Sequence, residues 1–76
     1  MIDLTKLPKT LKRLRLDHGL TQYRIAKITG MSPAAIHAQE LGKVIPSLLT
    51  IMTYAELYGL TVSELLGETD GKEETN

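Results

Sequence analysis

Apolar side chains recur at helical spacing along most of this 76-residue chain, and glycines separate the apolar segments. Leu7, Leu11 and Leu14 follow one another at intervals of four and three residues, which places them on one face of a first helix over residues 9–18. Gly19 then predicts the end of that helix. Because no segment alternates apolar and polar residues as a half-buried strand does, the pattern predicts an all-α fold, a compact bundle of five short helices.

The second and third helices are predicted to meet at a short turn around Gly30. Thr21 can cap the start of the second helix, residues 22–29, and Gly30 suits its end, since glycine adopts positive φ at little cost. Ser32 is a good N-cap for the third helix, and Pro33 fits its first turn, where no backbone N–H is needed. These signals predict a helix-turn-helix, and the alternative is an ordinary helical hairpin.

A fourth helix is predicted over residues 48–58, behind the N-cap Ser47. The apolar residues that share one face of this helix are expected in the core: Leu48, Ile51, Met52, Ala55 and Tyr58. Leu49 falls outside that face and is expected to be exposed. Apolar groups at exposed positions can mark a protein contact, although a single exposed leucine is also normal.

The chain is predicted to close with a short fifth helix over residues 62–66, and Gly67 is expected to end the fold. Residues 68–76, with the sequence ETDGKEETN, are polar and acidic, a composition typical of disorder. The sequence therefore predicts one helix-turn-helix domain over residues 1–67 and a disordered acidic tail over residues 68–76.

The formal net charge of zero conceals an uneven distribution of charge. Residues 1–43 contain eight of the nine basic residues and three acidic ones, a net charge of +5. Residues 44–76 contain one basic and six acidic residues, a net charge of −5. This asymmetry favours an electropositive face that meets phosphates, and the alternative is a solvated basic face beside an acidic tail.

Several classes of protein are disfavoured by the sequence. The absence of cysteine leaves no disulfide or thiolate metal site, and no apolar run approaches the ~20 residues that span a bilayer. We therefore expect a soluble, cytoplasmic protein without a membrane partner. His18 and His37 lack a metal motif, and no nucleophile or phosphate loop has supporting neighbours, so we expect no enzyme, metal, cofactor or small-molecule substrate.

The order of the predicted elements resembles a known family. The segments LKRLRLDHGLTQ, IAKITGMS, ELGKVIPS and LYGLTVSELLG are similar, over residues 10–67, to the Cro/repressor-type (XRE-like) helix-turn-helix family of small bacterial and phage regulators. The resemblance implies a five-helix, lambda-repressor-like DNA-binding domain. It also implies a symmetric dimer on operator DNA, with the third helix in the major groove.

The resemblance also implies roles for particular residues. Gln22 is expected to bind a DNA phosphate through its side chain and the free N–H groups of the helix start, and Lys43 to bind a second phosphate. Arg24 and Lys27 add positive charge beside the expected DNA backbone. The resemblance further implies that Arg15 and Glu40 form a partly buried ion pair that ties the first helix to the third, a structural role.

The expected base-facing residues of the third helix carry few hydrogen-bonding groups: Ser32, Ala34, His37 and Ala38. The common base readers Arg, Lys, Asn and Gln are missing from its leading positions. Alanine methyl groups can still contact a thymine methyl, and His37 or Ser32 can form a hydrogen bond with a base edge or a phosphate. The protein can also recognise the shape of the DNA. Gln39 stands where the family generally places a large apolar residue facing the core, so its amide is expected at the edge of the interface rather than in the groove.

Two functions are consistent with this sequence. The first is a sequence-specific DNA-binding transcriptional regulator of the repressor/Cro type, whose affinity rests on phosphate contacts and falls steeply with salt. The second is a protein-interaction module on the same scaffold, such as a phage antirepressor or an antitoxin that binds another regulator. In that case Ala34, His37 and Ala38 would form the dry centre of the protein contact.

Overall fold

The computed structural model describes the backbone of residues 4–70 and the side chains of residues 4–67. Within that part, a 3-10 turn at Leu4–Lys6 is followed by helices only. The helices are α1 (Leu7–Asp17), α2 (Gln22–Thr29), α3 (Pro33–Leu41), α4 (Leu48–Tyr58) and α5 (Val62–Asp70). The prediction of an all-α bundle of five helices is confirmed.

Polar caps and left-handed glycines set the bounds of the middle helices. Thr21, Ser32 and Ser47 each accept a hydrogen bond from the backbone N–H three residues further on, which satisfies a donor that the helix start leaves free. Gly30 and Gly42 follow α2 and α3 with φ of 82° and 80°, the left-handed conformation that glycine adopts most readily. The bounds of α2 and α4 and the start of α3 agree with the predicted ones.

Three helix ends differ from the prediction, and one of them, the end of α1 at Asp17 instead of residue 18, differs by a single residue. The first helix begins at Leu7, two residues early, because Pro8 lies in the first turn, where a missing N–H costs nothing. The last helix continues to Asp70, so its predicted end at Leu66 is wrong. Gly67 is not among the described glycines with positive φ, and it therefore does not form the left-handed cap that ends a helix.

The start of α5 carries a reciprocal pair of caps. The Thr61 hydroxyl accepts from the Glu64 N–H at 2.9 Å, and the Glu64 carboxylate accepts from the Thr61 N–H at 2.8 Å. Residues 71–76 lie outside the described residues, so the division into a domain over 1–67 and an acidic tail over 68–76 stays a prediction.

The hydrophobic core lies where α1 packs against α3 and α5. The second helix packs on α3, and α4 packs on α5. The predicted face of α1 is buried. The buried apolar residues are Leu7, Leu11, Leu14, Ile25, Ala26, Ile36, Ile51, Tyr54, Ala55, Tyr58 and Leu65. The core therefore holds the two helices of the helix-turn-helix against a scaffold made by the other three.

The buried face of α4 was predicted only in part. Ile51, Ala55 and Tyr58 are buried, and Leu49 is exposed, as expected. Leu48 and Met52 were expected in the core but are 67% and 50% exposed, whereas Tyr54 is 1% exposed. Apolar residues surround almost the whole circumference of α4, so helical spacing allows two different faces to be buried, and only packing against the other helices selects one.

Candidate nucleic-acid interface

A buried ion pair connects the helix-turn-helix to α1. Arg15 Nε donates to Glu40 Oε2 at 2.8 Å, and Arg15 Nη2 donates to Glu40 Oε1 at 3.1 Å. Arg15 Nη1 also donates to the Leu20 carbonyl at 3.0 Å. The two side chains are 11% and 4% exposed, and the hydrogen bond with Glu40 raises the pKa of Arg15. This bidentate ion pair fixes the position of α3 relative to α1.

Gln22 extends this network to the outer surface of α3. Its Nε2 atom donates to Glu40 Oε1 at 3.1 Å and lies 3.4 Å from His37 Nδ1. The Gln22 amide therefore links the start of α2 to both a buried and an exposed residue of α3. The backbone N–H groups of Gln22 and Tyr23, in the first turn of α2, have no intrahelical carbonyl to bond. The next N–H, that of Arg24, is held by Thr21 Oγ1 at 3.0 Å.

The predicted base-facing residues lie on the outer side of α3. Ser32, Ala34 and His37 are exposed, and Ala38 is half-buried. Ser32 Oγ accepts the Ala35 N–H at 3.1 Å, which leaves its hydroxyl hydrogen available as a donor. Apart from methyl groups, this side of α3 presents the Ser32 hydroxyl and the His37 ring.

The three basic residues that are predicted to bind phosphates, Arg24, Lys27 and Lys43, are exposed on the helix-turn-helix or directly after it. Arg24 and Lys27 lie on the outer face of α2, where Lys27 Nζ is 5.6 Å from the ring centroid of Tyr23. A cation above an aromatic face is attracted to it, which restrains the lysine without neutralising its charge. Lys43 follows α3 directly, and its backbone N–H donates to the Ala38 carbonyl at 3.0 Å. Its side chain therefore starts at the C-terminal end of α3.

A buried polar contact between α3 and α4 was not foreseen. Gln39 is 6% exposed, and its Oε1 accepts a hydrogen bond from the Tyr54 hydroxyl at 2.6 Å. The expectation that Gln39 lies at the edge of the interface is therefore wrong, since Tyr54 gives its amide a partner inside the protein. Burial raises the pKa of Tyr54. Helical spacing carried no signal for this pair, because the partners lie on different helices.

The other histidine lies away from the helix-turn-helix surface. His18 Nδ1 lies 2.8 Å from the Leu14 carbonyl at the end of α1, and its ring centroid is 4.9 Å from that of Tyr58. Within residues 4–67 there is no group of three or more side chains that could hold a metal ion. No helix in the described part of the chain has the length and apolar character needed to cross a membrane.

Comparison with known proteins agrees with this geometry. A family model described as helix-turn-helix matches residues 11–65. The chain is 35% identical over 66 residues to the HTH-type transcriptional regulator PuuR of Escherichia coli, which covers 87% of this chain and 36% of PuuR. It is 38% identical over 61 residues to the HTH-type transcriptional regulator DdrOP3 of Deinococcus deserti, covering 80% of this chain and 47% of DdrOP3.

A third relative matches along nearly its whole length. The uncharacterised HTH-type transcriptional regulator y4dJ of Sinorhizobium fredii is 31% identical over 70 residues, or 91% of each chain. The chain spans less than half the length of PuuR and DdrOP3. The family match covers most of this chain and contains the ion pair, the turn and α3. The chain therefore belongs to the Cro/repressor-type helix-turn-helix family of DNA-binding transcriptional regulators.

Proposed function

We propose that this chain represses or otherwise regulates transcription by binding a specific operator duplex, with α3 in the major groove. The observation that carries the proposal is the contact of Gln22 with Glu40 and His37. It holds the anion-binding start of α2 at a fixed position relative to the exposed side of α3. A phosphate bound at the start of α2 therefore sets how α3 enters the groove.

Positive charge around this surface supports binding to the DNA backbone. Arg24 and Lys27 on α2 and Lys43 after α3 are exposed, and each can neutralise one phosphate. Such contacts supply affinity and orientation but little sequence information. Sequence is read by the outer side of α3, through the methyl groups of Ala34 and Ala38, the Ser32 hydroxyl and the His37 ring.

The regulator acts as a symmetric dimer in this proposal. One copy of α3 offers few hydrogen-bonding groups, and two copies on half-sites one helical turn apart double the number of base contacts. We place the contact between the two copies on α4, where three exposed apolar side chains lie close together in sequence: Leu48, Leu49 and Met52, exposed by 67%, 73% and 50%. A second copy would cover these side chains with its own equivalent surface.

The DNA-binding proposal is tested by selection of duplexes from a random pool. We expect the wild-type chain to enrich one motif with two-fold symmetry. Ala34→Glu places a negative charge on the exposed side of α3 and should abolish enrichment, since it would face the bases and phosphates. Ser63→Glu makes the same change of charge at an exposed position of α5 and should bind normally. The proposal fails if wild type enriches no motif, or if both variants behave alike.

The dimer is tested by sedimentation over a range of protein concentrations. Leu49→Lys should shift the chain towards monomer and weaken binding to the symmetric duplex by at least tenfold. Leu16→Lys is the matched control, because Leu16 is 57% exposed on α1, away from α4. Equal self-association of the two variants and wild type would show that α4 is not the contact.

A further inference from the structure

The side chain of Gln22 lies between the Glu40 carboxylate, which can only accept hydrogen bonds, and the exposed ring of His37. The same nitrogen, Nε2, is 3.1 Å from Glu40 Oε1 and 3.4 Å from His37 Nδ1. Gln22 is half-buried, the Glu40 side chain is 4% exposed, and His37 is exposed on α3. The positions of the hydrogens in these contacts can therefore be assigned in order, starting from the buried Glu40 and ending at His37.

The Glu40 carboxylate allows only one of the two orientations of the Gln22 amide. Two hydrogen bonds from Arg15 hold the Glu40 carboxylate, which is an acceptor at both oxygens. A carbonyl oxygen of Gln22 at 3.1 Å from Glu40 Oε1 would bring two acceptors together with no hydrogen between them. The NH2 group of Gln22 must therefore face Glu40, and its second hydrogen points towards His37.

This orientation determines which nitrogen of His37 carries the proton. An N–H group that faces His37 Nδ1 requires a lone pair on Nδ1, because two donors would repel. In the neutral imidazole, a lone pair on Nδ1 leaves the proton on Nε2. The exposed edge of His37 then presents an N–H donor rather than an acceptor.

We propose, on the basis of the proposed DNA-binding function, that Gln22 fixes the tautomer of His37 and that the Nε2–H of His37 is the specificity-determining donor of α3. In the major groove guanine presents two acceptors, N7 and O6, whereas cytosine presents only its N4 amino donor. His37 therefore favours a base that presents an acceptor, guanine with its two acceptors above all, and rejects cytosine at one base of each half-site. Gln22 is a positioning residue for this contact and does not itself read the base.

The tautomer can be measured in the full chain without DNA. Long-range proton–nitrogen correlation spectra at mildly alkaline pH distinguish a protonated from an unprotonated ring nitrogen. We expect an unprotonated Nδ1 and a protonated Nε2 for His37 in wild type. Gln22→Ala should raise the population of the opposite tautomer. Arg24→Ala, on the same helix, should leave it unchanged. The same tautomer in wild type and Gln22→Ala would overturn the role of Gln22.

The base preference is measured on the duplex that wild type selects, with each base pair replaced in turn. We expect one position per half-site where cytosine in place of guanine weakens wild-type binding by roughly fivefold or more. His37→Ala should lose that preference and keep the others, and it should fold normally because His37 is exposed. Gln22→Ala should weaken the same preference. The double variant with both substitutions should lose no more of this preference than His37→Ala does.

The outcomes separate this inference from the function on which it rests. Arg24→Ala should lower affinity for every duplex by the same factor, as a phosphate contact does. If His37→Ala binds the selected duplex with every base preference intact, the inference is wrong and the regulator stands. If wild type selects no sequence at all, the proposed function is wrong, and the inference falls with it.

Discussion

The two buried tyrosines of α4 differ in the state of their hydroxyl groups. Tyr54 donates to Gln39 Oε1 at 2.6 Å. The Tyr58 hydroxyl is buried and has no hydrogen-bond partner among the described residues. An unsatisfied buried polar group costs about 1–3 kcal/mol, whereas a made hydrogen bond contributes about 1 kcal/mol. The same chemical change at these two positions should therefore have opposite effects.

We expect Tyr58→Phe to raise the free energy of unfolding by about 1 kcal/mol, because it removes a hydroxyl that is buried without a partner. Tyr54→Phe should lower it by about 1–3 kcal/mol, because the Gln39 amide loses its partner. Urea denaturation of both variants beside wild type measures this. Equal losses in the two variants would show that the Tyr58 hydroxyl does find a stabilising contact.

The tyrosines also predict how stability depends on pH. Burial raises the pKa of Tyr58 to about 12 and raises that of Tyr54 as well. Unfolded tyrosine ionises near pH ~10, so above that pH the unfolded chain releases protons that the folded chain retains. The free energy of unfolding should be constant with respect to these groups below about pH 10. It should fall above that pH by up to about 1.4 kcal/mol per pH unit for each tyrosine.

Denaturation at a series of alkaline pH values tests this dependence. Tyr58→Phe should show a shallower fall than wild type between about pH 10 and pH 12, because one titrating group is gone. An identical slope in the variant would mean that Tyr58 ionises at the same pH in the folded and unfolded chains.

At the scale of the helices, most helix bounds were predicted from local sequence signals. The caps Thr21, Ser32 and Ser47 and the glycine after α2 placed the starts of three helices and the end of α2 correctly, since each signal acts through the backbone within a few residues. The end of α5 was missed because a glycine ends a helix only if it turns left-handed, and Gly67 does not. The buried face of α4 was missed because packing against other helices selects it.

The glycines after α2 and α3 should differ in their response to substitution. Both have positive φ, so alanine at either position costs about 1 kcal/mol from backbone strain. At Gly30 an added Cβ meets nothing within 4 Å, whereas at Gly42 it lies 3.3 Å from Pro8 Cγ. We therefore expect Gly42→Ala to lower the free energy of unfolding more than Gly30→Ala does, as measured by thermal unfolding. The reverse order would show that Pro8 moves without cost.

At the scale of the whole molecule, the sequence predicted the residues of the candidate interface and one ion pair behind it, but not the other contacts that connect these residues. The family resemblance indicated the Arg15–Glu40 ion pair, but it indicated Gln22 and His37 separately, and the structure joins all four in one network across three helices. Spacing along a chain cannot reveal such contacts, because they depend on how α2 crosses α3. The Gln39–Tyr54 bond and the exposure of Leu48 and Met52 escaped prediction for the same reason.

The separation of charge along the chain also acts at this scale. The first 43 residues carry a net charge of +5 and contain α1, α2 and α3, whereas the remainder carries −5. Binding to DNA through the basic half releases counterions in proportion to the number of phosphates neutralised. The salt dependence of affinity therefore counts the phosphate contacts that we propose for residues such as Lys43.

The most direct test of operator recognition through α3 is the affinity for the selected duplex and for an unrelated duplex over a range of salt concentrations. We expect the selected duplex to be bound at least about a thousandfold more tightly. We expect log affinity to fall linearly with log salt, and Lys43→Ala to reduce that slope by about 0.9 on both duplexes. A wild-type chain that binds both duplexes equally, or whose binding is indifferent to salt, would contradict the account.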